Sequence, residues 1–342
     1  VTRVGAVDCG TNSVRLLVAD VTGGTLNDVH REMRIVRLGE GVDETGRLAP
    51  EALERTFAAL RDYASICLET EVERVRMVAT SATRDAANAA EFVAGCTTIL
   101  GVAPEVVSGD EEARLSFLGA TAELAGFAAP YVVCDIGGGS TEFVLGTNDV
   151  EQAASVDIGC VRLTERRLPS DPPTPAEIDA ATTDVRAAFD AVERTVDVAA
   201  GQTFLGLAGS VTTIAALALG LSAYDPHAIH LARIPALAVE DVTELLLRST
   251  RAERAALPSM HPGRVDVIAA GALVLREAMR RWSVPEVVAS ERDILDGIAY
   301  SVGGGGSPAP APDVGCVVCG ICRARARRSR TQRGKRGCSA LS

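Results

Sequence analysis

Hydrophobic positions alternate along the chain between short strand-like runs and helical stripes. Residues 4–20 place apolar runs on either side of the polar stretch Asp8-Cys-Gly-Thr-Asn-Ser13, which predicts strand, tight turn and strand. A further strand is expected around Val29 to Leu38. From Pro50 to Glu69, Leu53, Phe57, Leu60 and Ala64 recur at helical spacing. Val75–Ala79 reads as a strand, and Thr80–Ala86 leads into a helix. Glu105–Val107 is a strand and Glu111 to Ala125 a helix. Such alternation predicts an α/β fold.

After Gly126-Phe-Ala-Ala-Pro130 the pattern restarts with Tyr131-Val-Val-Cys-Asp-Ile-Gly-Gly-Gly-Ser-Thr-Glu142. With Asp8 laid on Asp135, Gly10 meets Gly137, Ser13 meets Ser140 and Arg15 meets Glu142, an offset of 127 residues. A repeat of this size predicts two similar domains facing each other across a cleft, residues 1–126 and 127–303. Each offers a strand–turn–strand loop. Later helices are expected at 175–200, 210–219, 239–255 and 264–281, with a strand at Glu286–Ala289 and a last helix at Arg292–Ser301. Residues 304–342 read as a Gly/Pro linker and a Cys/Arg-rich tail of disorder-prone composition. Cys316, Cys319, Cys322 and Cys338 carry metal-ligand spacing, but the composition favours a tail over a metal site.

Charge changes this picture more than length does. The net charge of −11 divides into −18 over residues 1–303 and +7 beyond them, and the only lysine is Lys335. Phosphate chemistry in the folded part must therefore use arginine, backbone N–H groups, helix N-termini or a metal. A Walker lysine and a Schiff base are excluded from it. No strictly apolar run reaches about 18 residues, so neither a membrane span nor a membrane partner is expected. With no signal-peptide pattern at the start, a cytoplasmic location is expected, and no nucleic-acid partner is.

The glycine turn carries the chemistry. Gly137, Gly138 and Gly139 let the backbone approach a phosphate and aim N–H groups at it, and Ser140 and Thr141 add hydroxyls. Asp135 and Glu142 flank the turn, spaced to share one cation of the Mg2+ type. A dinucleotide loop would need a helix after the glycines, whereas Thr141-Glu-Phe-Val-Leu alternates like a strand. Ser108 and Glu111 fit a capping box, leaving Glu112 rotated by about 100° and free to act as a general base. On that segment alone, two solvated first-turn glutamates complementing the helix dipole are the favoured explanation. Arg84 follows a strand near a helix start, an anion site. Asn12, Ser13 and Arg15 sit on or beside the first loop. Gly209 and Ser210 open another helix, and Arg264 is placed to reach an extended anion; His261 reads as a turn residue.

Taken together, Ala6-Val-Asp-Cys-Gly-Thr-Asn-Ser-Val-Arg15, Thr80-Ser-Ala-Thr-Arg84, Ser108-Gly-Asp-Glu-Glu-Ala-Arg114, the second loop and Gly209-Ser210 resemble the Ppx/GppA phosphatase family. That resemblance covers about residues 3–302. It implies two ribonuclease-H-like domains of the actin/Hsp70/sugar-kinase superfamily. It also implies Mg2+-dependent removal of the terminal phosphoryl group from inorganic polyphosphate, or of the 5′-γ-phosphate from pppGpp. The family's catalytic glutamate corresponds to Glu112, its metal carboxylates to Asp135 and Glu142, and its phosphate-binding arginine to Arg84. The resemblance is compatible with a homodimer. Longer members carry extra C-terminal helical domains without counterpart here, so short chains are the expected polymer. A kinase of the same superfamily and a non-catalytic polyphosphate or alarmone sensor are the competing expectations.

Overall fold

A computed structural model describes residues 1–303. The Gly/Pro segment beyond Gly303 and the Cys316, Cys319, Cys322 and Cys338 set lie outside the described residues. The architecture is α/β, with two mixed sheets flanked by helices.

The first sheet contains β1 (Thr2–Cys9), β2 (Ser13–Thr22), β3 (Thr25–Ile35), β4 (Arg74–Ala79) and β5 (Glu105–Val106), in the order β3-β2-β1-β4-β5. The second contains β6 (Tyr131–Ile136), β7 (Thr141–Gly146), β8 (Val150–Val156), β9 (Thr203–Leu207), β10 (Ala232–Pro235) and β11 (Glu286–Ala289), in the order β10-β11-β9-β6-β7-β8. Each begins with a three-stranded antiparallel meander, and the meander's first strand pairs in parallel with the next crossover strand. Apart from the extra edge strand β10, the strand order is duplicated. Register preserves the repeat: Asp8 lies opposite Arg15, and Asp135 opposite Glu142.

Each central strand is apolar on both faces, as a strand covered by helices must be. On β1, Val7 and Cys9 pack into a core shared with the helix Pro50–Glu69, while Val4 and Ala6 face the helix Ile294–Gly303. On β6, Val132, Cys134 and Ile136 join the largest core, and Val133 faces the helix Gly109–Thr121. The two sheets thus exchange helices. Gly109–Thr121 follows the first sheet in the chain but packs Ala113, Phe117 and Ala120 on the second. Ile294–Gly303 follows the second sheet but packs Leu295, Ile298 and Ala299 on the first. Their crossing is too close for side chains: a Cβ on Gly119 would lie 1.9 Å from the Asp293 carbonyl oxygen, and one on Gly297 1.9 Å from that of Leu115.

Pro50–Glu69 forms over the expected span, with proline opening its first turn. Other boundaries move. The third strand starts and ends earlier than Val29–Leu38, and the helix expected over 175–200 ends at Val192. The segment 239–255 is two helices, Ala236–Arg248 and Arg251–Ala255, because Thr250 and Glu253 form a reciprocal capping box that starts a new one. Residues 264–281 divide likewise into a turn at Pro262–Arg264 and the helix Ile268–Arg281. Among the described residues no helix is long and apolar enough to cross a membrane.

Candidate active site

The two loops share one turn. Gly10 N–H donates to the Ser13 carbonyl at 3.0 Å, and Gly137 N–H to the Ser140 carbonyl at 3.0 Å. They also touch each other through Thr11 and the helix start at Ser81. The Thr11 and Ser81 hydroxyls lie 3.0 Å apart. A Cβ on Gly138 would come within 2.8 Å of Thr11 Cβ, and one on Gly139 within 2.4 Å of Ser81 Oγ. These glycines therefore allow the two halves of the molecule to close.

Their charges differ. In the first loop Arg15 clamps Asp8 with Nε at 2.9 Å and Nη2 at 2.7 Å, and its Nη1 pairs with Asp293. Arg15 is thereby committed to two carboxylates, although it also lines the cavity described below. The other oxygen of Asp8, Oδ1, is buried without a hydrogen-bond partner. In the second loop glutamate stands where the first has arginine, so Asp135 and Glu142 have no cation between them. Asp135 accepts the Ser116 hydroxyl at 2.6 Å and Glu142 the Ser155 hydroxyl at 2.7 Å. Both carboxylates are buried.

Glu112 completes the cluster from the first turn of the helix Gly109–Thr121. Ser108 caps that helix by accepting the Glu111 N–H at 3.3 Å. The reciprocal half of the expected capping box is absent: the Glu111 carboxylate turns instead toward Arg76 at 3.6 Å. Glu112 points inward as expected, 8% exposed, and accepts a hydrogen bond from Arg84 Nη1 at 3.2 Å. Arg84 is anchored by donating to the Val107 carbonyl at 2.9 Å.

Burial together with mutual repulsion raises the whole group. Desolvation pushes Asp135 up to about 6, with Asp293 and Asp8 adding to the rise. It pushes Glu112 up to about 8 against the opposing charge of Arg84, with Asp135 and Asp8 again adding. Glu142 is raised well above the carboxylate range by burial and by the nearby Glu112 and Asp135 charges. This is uncompensated negative charge in a sheltered place.

The remaining predicted residues divide. Asn12 and Ser13 are half-buried on the first loop, and the Asn12 carbonyl receives the N–H groups of Val36 and Arg37. Ser140 is buried and supports Glu142 through its hydroxyl. Thr141 is fully buried and donates its hydroxyl to the Ile158 carbonyl, so it serves the loop's own structure and not a ligand. Ser210 is likewise directed inward, with its hydroxyl 2.3 Å from where a Gly271 Cβ would stand. His261 closes its own turn by accepting the Gly263 N–H at 3.1 Å.

Gly209 and Arg264 belong together, because the Arg264 guanidinium occupies the space over Gly209 and donates to Thr213 Oγ1 at 2.8 Å. They line a cavity of about 440 Å³ with Arg15, Tyr224, Met33 and Glu291. Ala208, also on its wall, takes a left-handed φ of 64°, a conformation ordinarily left to glycine. Glu112, Asp135, Glu142 and Arg84 are not part of this lining.

Four supporting residues escaped the sequence reading. Ser116 and Ser155 hold the second loop's carboxylates, Asp293 holds Arg15, and Arg162 ties several segments together. Only Asp293 carried a local signal, an acidic residue just before a helical run: its Oδ1 caps the last helix at the Leu295 N–H, 3.0 Å away.

Residues 17–303 match the Ppx/GppA phosphatase family. The chain belongs to that family. It is 53% identical over 316 residues to exopolyphosphatase 2 of Mycobacterium tuberculosis, covering 89% of this chain and 99% of that protein. Among solved structures, an exopolyphosphatase-like protein aligns with a TM-score of 0.86 at 43% identity, over 88% of this chain and 97% of the other. The Aquifex aeolicus Ppx/GppA family member aligns with a TM-score of 0.75 at 32% identity, over 88% and 97%.

Proposed function

We propose that this Ppx/GppA phosphatase is a phosphoanhydride hydrolase that releases the terminal phosphate of inorganic polyphosphate, preferentially short chains, with Mg2+. The observation that carries the reading is the placement of Glu112. It is a buried carboxylate that accepts a hydrogen bond from Arg84, and the neighbouring Asp135 charge raises its affinity for protons as its own raises that of Glu142. The name of the Mycobacterium tuberculosis relative agrees with this activity. The duplicated strand order supports two ribonuclease-H-like domains, about residues 1–126 and 127–303, each lending one helix to the other.

The residues present suit the metal. The donors are carboxylate and hydroxyl oxygens, which a hard divalent cation prefers, and the raised carboxylates are what a cation would relieve. Among the described residues no group of three His, Cys, Asp or Glu is arranged to hold a metal ion. Asp135 and Glu142 would hold the ion, as two carboxylates suffice for Mg2+, which keeps several waters. When bound, Mg2+ neutralises phosphate charge and draws electron density from the bond to be broken.

The chain's own groups do the rest. Backbone N–H groups of the two glycine turns and the Asn12-Ser13 segment cradle the terminal phosphates, and Arg84 orients the last one. Arg15 keeps the first loop in shape through Asp8. Glu112 accepts a proton from a water aligned opposite the leaving oxygen, and its raised affinity for protons suits a base working near neutral pH. The water oxygen bonds to phosphorus, the P–O bond to the remaining chain breaks, and that chain leaves with the electron pair. Positioning and charge neutralisation supply most of the acceleration in such transfers.

A second reading, hydrolysis of pppGpp, is favoured by one observation. The cavity beside Arg264 has Met33, Pro258, Met260 and the Tyr224 ring alongside its charged lining residues, surfaces that a nucleoside uses and a bare phosphate chain does not. Phosphate release from short polyphosphate, long polyphosphate, pppGpp and ATP, each with and without Mg2+, separates the readings. Release from short polyphosphate above all others is the expected result. A strong preference for pppGpp would replace the first reading by the second, and binding without release from any of them would make the protein a sensor.

A further inference from the structure

Among the described residues Arg162 and Arg254 are the buried arginines, and nothing in the proposed chemistry uses Arg162. It lies in the first turn of the helix Cys160–Arg167, which stands directly on the second glycine loop. The N–H of Cys160 donates to the Gly137 carbonyl at 2.9 Å, and those of Val161 and Arg162 to the Gly138 carbonyl at 2.9 and 3.1 Å. Only glycine fits at position 159, because a Cβ there would come within 2.3 Å of the Gly138 backbone.

From this rigid seat the guanidinium spans to the other half of the molecule. It pairs with Asp43 at 3.2 Å, with Asp85, and with Asp157 on its own side at 2.8 Å. Asp85 directly follows Arg84, and Asp43 belongs to the short turn Gly41–Gly46. The same turn is held from the same helix by Arg166, which donates to Asp43 at 2.5 Å, and by Glu165, which accepts the Gly41 N–H at 3.2 Å. On another edge of the contact Arg37 meets Asp266 at 2.7 Å, but that pair is over a quarter exposed on both sides. A pair exposed on both sides is worth little, whereas Arg162 is itself buried and, although Asp85 is about a third exposed, holds several carboxylates at once from a fixed position.

We infer that Arg162 is a positioning residue: its Asp43–Arg162–Asp85 bridge latches the two halves so that Arg84 faces the second glycine loop before substrate arrives. The inference rests on the proposed role of Arg84 and the loops in holding phosphate. A latch of this kind sets the fraction of molecules competent to bind. Losing it multiplies apparent affinity by the lowered fraction, while saturating substrate still pulls the cleft shut. Arg162 therefore acts on KM and not on the chemical step.

The test uses the full chain with Arg162→Gln, Arg162→Lys and Asp43→Asn. Steady-state phosphate release from short polyphosphate is measured alongside small-angle scattering without substrate. Arg162→Gln is expected to raise KM by about 10-fold or more with kcat within about three-fold of wild type. Arg162→Lys, a point charge able to reach only one carboxylate well, should recover part of that KM. Asp43→Asn should fall between, and it serves if Arg162→Gln does not fold. Without substrate, Arg162→Gln should scatter with a larger radius of gyration that short polyphosphate restores. An unchanged KM and radius, or a fall in kcat at unchanged KM, would overturn the latch. If the wild type releases no phosphate, the hydrolase reading fails by itself, and the scattering comparison alone decides whether Arg162 holds the halves together.

Discussion

The first and second glycine loops are the same turn on the same pair of strands, yet one residue makes them electrically opposite. Opposite Asp8 stands Arg15; opposite Asp135 stands Glu142. The first loop is nearly neutral and closed by a buried ion pair. The second concentrates negative charge that only serine hydroxyls contact, and Glu112 is added to it from a third element. A duplicated scaffold has thus become one half that holds its own shape and one half whose carboxylates the proposed Mg2+ would relieve. The proposed chemistry rests on this asymmetry more than on the glycines.

Removing the arginine breaks the comparison most severely. Arg15→Met leaves Asp8 and Asp293 buried without their partner, and unfolding in urea should show a loss of about 3–5 kcal/mol. At the matching position of the other loop the sign reverses. Glu142→Gln removes a like charge, so the metal-free protein should melt higher than wild type, while turnover at fixed Mg2+ falls by about 10²-fold. Calorimetry with a coupled phosphate assay reads both effects, and a metal-free Glu142→Gln protein that melts lower would remove the argument for repulsion. Ser155→Ala should be milder, costing about 10-fold in the Mg2+ concentration needed for half-maximal rate.

The smallest effect is on pH dependence. Asp135 and Glu112 take up protons more readily folded than unfolded, so the folded state binds more protons between the ordinary carboxylate range and about 8. Metal-free stability is then greatest at low pH within the folded range and declines as pH rises through about 6 and about 8. Thermal melts from pH 5 to 9 in chelator should drift down by a few degrees, and Mg2+ should flatten the drift. A melting temperature that rises over this range without metal would contradict the assignment of these groups.

Much of this asymmetry could be read in advance, since the overlay at 127 residues already set Arg15 against Glu142. Glu112 was legible only in part: helix geometry let it face away from Glu111, but the segment alone favoured two solvated glutamates, and its burial follows from the second sheet packing against that helix. What stayed hidden is non-local. No periodicity within Gly109–Thr121 or Ile294–Gly303 says which sheet each helix covers; that follows from glycines 119 and 297 meeting a distant backbone. Ser116 and Ser155 look like any other serines until the fold brings them to Asp135 and Glu142. Thr141 misled for the opposite reason: beside a glycine turn a hydroxyl suggests a phosphate, but the Ile158 carbonyl had already taken it.

Phosphate release from short-chain polyphosphate by the full chain and by Glu112→Gln, at saturating Mg2+, tests the central claim most directly. A wild-type rate that falls about 10²-fold or more in the variant, with KM retained, is the predicted result. A Glu112→Gln enzyme that turns over at nearly the wild-type rate would contradict it.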